Sequence, residues 1–291
     1  MTPADMQNII FGLVTGSILA IATVGFSMIR QTEGFINIAH GQLLTLGAFL
    51  GYFFVATLEM NVFLAGLASM LLVGLFGVLL SIVVFRPVAK SGPLAQLFTS
   101  IGLAYLLFGL IRVVFGANVT FFPTGFGGRL DLGPVNVTVG EILIIVVAAT
   151  VVGLLALFLT QTRLGTWIRA TASNPELARL RGIPVNRVSY AVWFVASALA
   201  GLAGVMVGLI GNVHSELGWT QILIILAAAV LGGLGSIYGV LAAGLLLGLA
   251  MDLSALIIPT SYRTVVAFGV LILGLLLRPQ GLFAAKGRRE A

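Results

Sequence analysis

Residues 9–29 read IIFGLVTGSILAIATVGFSMI, without one charged side chain. A helix rises about 1.5 Å per residue, so this run can cross a hydrocarbon core about 30 Å thick. Asp5 and no basic residue precede it, the wrong flank for a cleaved signal peptide, so it reads as a retained span. Runs of the same kind recur at 35–58, 62–85, 94–115, 139–160 and 189–211. The stretch 219–256 is too long for one span and is interrupted by Gly232-Gly233-Leu234-Gly235-Ser236, so it reads either as two short spans or as a re-entrant pair. A last span covers about 262–277 and is stopped by Arg278-Pro279. The expected fold is all-α: a bundle of about eight to nine membrane segments in one permease domain over residues 1–291.

Composition agrees. Of 291 residues, 59% are hydrophobic and 8% charged, against roughly a quarter charged in soluble domains. Mean hydropathy is +1.16. That excludes a soluble enzyme and makes the lipid bilayer the chain's solvent. The 37 glycines suit membrane helices whose backbones approach closely. The net charge of +6 is scattered singly between spans and not gathered on one face, so it does not read as a nucleic-acid surface. With no cysteine and two histidines, no disulfide framework or metal site is expected.

Basic residues set the orientation, because short cytoplasmic loops carry the positive excess. If the connection 163–188 is inside, twelve of the fifteen Lys and Arg residues fall inside. Arg112, Arg129 and Arg263 are the exceptions. The expected topology is N-terminus out and C-terminus in, which requires an odd number of crossings. Residues 116–138, with Pro123, Gly125, Gly127, Gly128 and Pro134, read as an outer loop over the bundle.

The inner connection carries a full set of helix punctuation in Asn174-Pro175-Glu176-Leu177-Ala178-Arg179-Leu180-Arg181-Gly182. Asn is at N-cap, Pro at the first helical position and Gly just past the end. Glu176 at the start and Arg179 and Arg181 at the end suit the helix dipole. Leu177 and Leu180, three apart, share a face and form a small apolar knob surrounded by charge. Such a helix either floats on the headgroups or docks in a groove of a partner.

The segment from Arg169-Ala170 to Gly182-Ile183 resembles the loop by which permeases of ATP-binding-cassette importers engage their ATPases. The islands Gly12-Leu13-Val14-Thr15-Gly16-Ser17, Gly34-Phe35-Ile36-Asn37-Ile38-Ala39-His40-Gly41, Leu46-Gly47-Ala48, Leu231 through Gly239 and Arg278-Pro279-Gln280-Gly281-Leu282-Phe283 resemble, more narrowly, the branched-chain amino-acid permease family. They span almost the whole chain in family order. The resemblance implies a bacterial inner-membrane permease that pairs with a related second permease, two cytoplasmic ATPases and an extracytoplasmic binding protein. It also implies a coupling helix built from Arg169, Asn174, Pro175, Glu176, Leu177, Ala178, Leu180 and Gly182. Arg169-Ala170-Thr171-Ala172 stands where the family's loop has an acidic residue and two alanines, so contacts there do not carry over. The only lysines, Lys90 and Lys286, lie outside any phosphate-cradling loop, so ATP and magnesium are expected on partner ATPases and no cofactor on this chain.

Polar residues at membrane depth are costly and face a bundle interior or a wet cavity. Asn37, His40 and Gln42 open the second span, and Gln96, Thr99 and Ser100 lie on one face of the fourth. Both groups read as interhelical hydrogen-bond partners or as lining of a translocation path. His214 and Glu216 read as solvated or partner-facing in an outer turn. The small-xxx-small pairs Gly12/Gly16, Gly47/Gly51, Gly204/Gly208, Gly235/Gly239 and Gly244/Gly248 read as helix packing.

The function expected is the translocation path of an ATP-driven importer of branched-chain or other small amino acids. Two neighbouring readings remain: an importer permease for urea or amides, and an ion-coupled secondary transporter. The latter class needs a titratable group at mid-membrane, for which Asp252 is the nearest candidate. Ser236, in Gly235-Ser236-Ile237-Tyr238-Gly239, has no histidine placed near it and reads as packing rather than as a nucleophile.

Overall fold

The structure, a computed structural model, describes residues 3–123, 128–131, 136–233 and 235–282. Gly125, Gly127, Pro134, Leu234, Phe283, Lys286, Arg288 and Arg289 therefore lie outside the described residues.

The chain is overwhelmingly helical because a bilayer offers no water to unpaired backbone groups. α1 (Pro3–Glu33) is followed by a non-helical step and α2 (His40–Ala56). α3 (Val62–Leu80) runs through a π turn (Ser81–Phe85) into the one-turn α4 (Arg86–Val88), and α5 (Pro93–Phe115) follows. Pro87 explains the π turn: its ring crowds the carbonyl four residues back and it has no N–H, so the helix widens just before it. After strands β1 (Arg129–Asp131) and β2 (Asn136–Thr138) come α6 (Val139–Gln161), α7 (Arg163–Ser173), α8 (Pro175–Leu180), α9 (Val185–Ile210), α10 (Leu217–Gly232), α11 (Ile237–Leu253) and α12 (Arg263–Leu277).

Seven of these helical stretches are long and apolar enough to cross a membrane, and α2 and α10 are shorter apolar helices. Three features differ from the sequence reading. The second span starts at His40 and not at residue 35, because Gly34, with φ +82°, ends α1 by donating to Arg30 O and the next five residues stay non-helical. The 163–188 connection contains a whole amphipathic helix, α7, ahead of the short one. The 116–138 loop holds a two-stranded antiparallel ribbon, β1 with β2. Its exit is a reciprocal capping box: Thr138 N donates to Glu141 Oε2 at 2.8 Å and Glu141 N to Thr138 Oγ1 at 3.3 Å.

The chain forms two compact units. The first comprises residues 1–27, 126–148 and 223–291. In it Gly12 and Gly16 lie against α11, where an added Cβ would meet the Cα atoms of Leu249 and Leu245 at 2.9 Å. Gly244 and Gly248 answer from α11 against Ala20 and Gly16. Asp252, 1% exposed, pairs with Arg263 at 2.7 Å. The residues after α12 return to the α10–α11 turn: Leu282 N donates to Leu231 O at 2.8 Å, and Gly281 packs on the backbone of Gly233.

The second unit comprises residues 28–125 and 149–222. α9 lies at its centre, packed on both α2 and α3. Gly47 meets the backbone of Gly201, Gly204 meets Leu44 O, and Gly41 meets Gly218 O, each leaving no room for a side chain. Backbones this close gain dispersion contacts that bulkier helices cannot make.

Candidate functional site

The step between α1 and α2 is built from its backbone outward. His40 N, Gly41 N and Gln42 N find Asn37 O, Ile38 O and Ala39 O, so α2 starts with local turns and no side-chain cap. The step is fixed from α5: Ser100 Oγ accepts from Ile38 N at 3.1 Å and donates to Leu97 O at 2.7 Å. Beneath it Phe35, Phe85 and Trp193 stack, with Phe85 centred 5.1 Å from Phe35 and 4.8 Å from Trp193. Phe85 ends the π turn, so the widening ahead of Pro87 helps aim this ring.

Of the six path candidates, five are buried: Asn37, His40, Gln42, Gln96 and Ser100. Thr99 is half-buried and donates to Ala95 O of its own helix at 2.8 Å. Asn37 and Gln42 are each 1% exposed, and none of their four carboxamide atoms has a hydrogen-bond partner among the described residues. A buried polar group without a partner costs about 1–3 kcal/mol, so such groups mark positions that a polar ligand or water can satisfy. No side-chain hydrogen bond joins Asn37 to Gln42 among the described residues; what they share is the buried start of α2.

The helix expected at 174–182 is present as α8. Asn174 Oδ1 accepts from Leu177 N at 2.9 Å, Pro175 occupies the first helical position, and Gly182, at φ +78°, closes the end. Gly182 N reaches Arg179 O and Ile183 N reaches Ala178 O, the paired bonds of a Schellman ending. Ala178 is buried, Glu176 is exposed, and Leu177 and Leu180 are 51% and 85% exposed. α7, ahead of α8, buries Gly165, Ile168 and Thr171 on one face, with Gly165 against the backbone of Phe158 and Leu159 at the end of α6, while Arg169 is exposed.

Beside these elements the second unit holds a cavity of about 260 Å³. Its walls include Glu33, Arg86, Gln96, Thr171, Arg179 and Tyr190. Ser189 Oγ donates to Glu33 Oε1, and Arg86 Nη1 donates to Tyr190 Oη, with the guanidinium carbon 5.6 Å from that ring's centre. The sequence reading placed Gln96 in a path but missed Glu33, Arg86, Thr171, Ser189 and Tyr190. They lie on four elements, α1, α4, α7 and α9, and no local spacing connects them.

Elsewhere, His214 Nδ1 lies 2.8 Å from Asn212 Oδ1, and Glu216 is exposed. Ser236 is the N-cap of α11, accepting from Gly239 N at 3.0 Å, which accounts for its place in the glycine-rich turn. Gly51 and Gly208 pack on Val205 and Phe122, whereas Gly235 is exposed in the turn and has open space where a Cβ would project. Gly239 is buried, its carbonyl against Gly232.

Residues 8–275 match the family described as branched-chain amino acid transport system / permease component. The chain is 32% identical over 299 residues to the high-affinity branched-chain amino acid transport system permease protein BraD of Pseudomonas aeruginosa, covering 98% of this chain and 96% of that one. It is 30% identical over the same length to the permease LivH of Escherichia coli, with the same coverage. The ribose import permease RbsC of Escherichia coli is 29% identical over 285 residues, covering 94% of this chain and 85% of that protein. No solved structure matches the chain. With a helical bundle of membrane-spanning length, a capped exposed helix between two of its spans and a family match over nearly all of its residues, the chain belongs to the branched-chain amino acid transport permease family.

Proposed function

We propose that the chain is a permease subunit of an ATP-binding-cassette importer in the bacterial cytoplasmic membrane. Its N-terminus lies outside and its C-terminus inside. It acts as one permease domain over 1–291 with α7 and α8 as the inner connection. Paired with a related second permease, it forms the path for branched-chain or other small amino acids delivered by an extracytoplasmic binding protein. The names of the relatives support the substrate class.

The observation that carries the reading is α8, a short helix capped at both ends that leaves Leu180 85% exposed. With Leu177, 51% exposed, Leu180 forms a small apolar knob on a charged helix, which suits insertion in a partner's groove. Two ATPase subunits are the partners, and they hold the ATP and magnesium. Closure of the ATPases pulls on α8 and, through Gly182, Ile183 and Pro184, on the start of α9. Because α9 is the helix on which α2 and α3 pack, its displacement reaches the start of α2 and the unpartnered Asn37 and Gln42. A packed bundle answers by switching between discrete arrangements. His40, Gln96, Thr99 and Ser100 complete the neighbourhood of the path. The chain supplies no covalent chemistry.

Purification from the native membrane in mild detergent tests this. Co-purification of a Walker-motif ATPase and a second permease is the expected result. Recovery of the chain alone, with ion-driven uptake retained, would replace the reading with a secondary transporter.

A further inference from the structure

The cavity lined by Glu33, Arg86 and Arg179 carries charges of both signs that do not meet each other. Glu33 Oε1 accepts from Ser189, its carboxylate also lies within reach of Trp193, and Arg86 donates through Nη1 to Tyr190. The two hydroxyl partners are consecutive on α9, so one helical turn holds an acid and a base apart across the cavity instead of letting them pair. An arginine has five N–H donors, and Arg86 spends one nitrogen on Tyr190. Thr171, 2% exposed, lines the same cavity, and its Oγ1 has no hydrogen-bond partner among the described residues. At about 260 Å³ the space falls just below the about 300–1,000 Å³ of drug-sized sites, the scale of one small amino acid.

We infer that this cavity binds a small α-amino acid as its zwitterion, with the ammonium on Glu33 and the carboxylate on Arg86 and Thr171 Oγ1. The inference rests on the reading of the chain as an amino-acid permease with α8 on the inner side. An anion alone would meet Glu33 and a cation alone would meet Arg86, so only a ligand with both charges satisfies both walls. Arg179 and Pro175 bring α8 into the lining, so an occupied cavity ties the docking helix to α1 and α4. Product accumulated inside thereby restrains the lever that drives import.

The test is equilibrium binding of radiolabelled L-leucine to the purified, assembled transporter without its binding protein, alongside ATPase rates with L-leucine on the ATPase side. Saturable binding is expected, weakened about tenfold in Arg86→Gln and in Thr171→Val, the scale of one charge-assisted hydrogen bond. Leucinamide and 4-methylpentanoate, each lacking one charge, compete less well. Thr171→Val removes an unpartnered hydroxyl, so its thermal stability holds or rises while binding falls, the opposite of a structural role. ATP hydrolysis falls as L-leucine fills the site, and less so in both variants. Absence of saturable binding, or binding equal in wild type and both variants, overturns the inference. Uptake with the binding protein, measured on the same preparation, is a separate readout: failure to take up any amino acid sinks the functional reading and leaves the binding result to stand or fall by itself.

Discussion

The hydroxyl of Ser100 on α5 accepts a hydrogen bond from the backbone N–H of Ile38 at 3.1 Å, across 62 positions of sequence. One side chain thereby satisfies a half-buried donor that the break between α1 and α2 would otherwise leave unpaired. Ser100→Ala is expected to cost about 0.5–1.5 kcal/mol, the net range of one hydrogen bond. Ser100→Thr keeps the oxygen and recovers most of it. Thermal unfolding of the detergent-solubilised protein, followed by gel filtration, reads both; equal stability of wild type and the alanine variant would show that the bond is not what holds the break.

Leu180 fixes the orientation. A cysteine at this position, 85% exposed in the wild type, reacts with a membrane-impermeant maleimide in inside-out vesicles and not in intact cells. Labelling in intact cells reverses the topology.

Leu177→Asp with Leu180→Asp places two charges on the exposed face of α8 without touching its caps. The bundle folds and reaches the membrane, while ATPase co-purification and uptake drop at least tenfold, the cost of desolvating charge against an apolar groove. Normal uptake by this variant would falsify the docking role.

The glycine contacts divide the bundle. Gly204→Leu drives a side chain into Leu44 O and is expected to cost more than the about 1–3 kcal/mol of ordinary overpacking. Gly235→Ala and Gly102→Ala, with open space at their Cβ positions, stay within about 0.5 kcal/mol of wild type. Expression level and melting temperature of the three, compared side by side, check this ordering.

Asp252 is 1% exposed while its partner Arg263 is 37% exposed, so the two ends of the pair differ in what they lose when parted. Asp252→Asn is expected to destabilise by about 1–3 kcal/mol, less than a fully buried pair because Arg263 reaches solvent. Arg263→Gln costs more, since it strands the acid. Replacing both by leucine recovers part of the loss, and a double-mutant cycle on melting temperature measures the coupling.

The parts of the fold legible in the sequence are those whose causes are local. The apolar runs and the caps of α8 depend on neighbours in the chain, so Asn174, Pro175 and Gly182 announce their geometry by type and spacing. The start of α2 was misplaced by five residues because the apolar residues Phe35, Ile36 and Ile38 fit a span, while the break itself comes from Gly34 at φ +82° and is held by the bond from Ile38 N to the distant Ser100. α7 was missed because its amphipathic pattern covers only 11 residues between two stronger signals. Glycine spacing identified Gly12, Gly16, Gly47 and Gly204 as packing positions, but the same spacing at Gly235 falls in a turn; composition cannot tell a crossing from a corner. The charged cavity was illegible, since Glu33, Arg86, Thr171 and Ser189 approach one another only after four helices have packed.

The contact of Gly281 and Leu282 with the α10–α11 turn also sets an order in time. Ribosomes deliver the chain from its N-terminus, so the turn at Gly233 leaves the tunnel long before the residues that clasp it. Until Leu282 N reaches Leu231 O, the α10–α11 hairpin sits in the bilayer with its corner unlatched. A nascent chain stalled before Gly281 would carry α1 to α12 and still lack that latch.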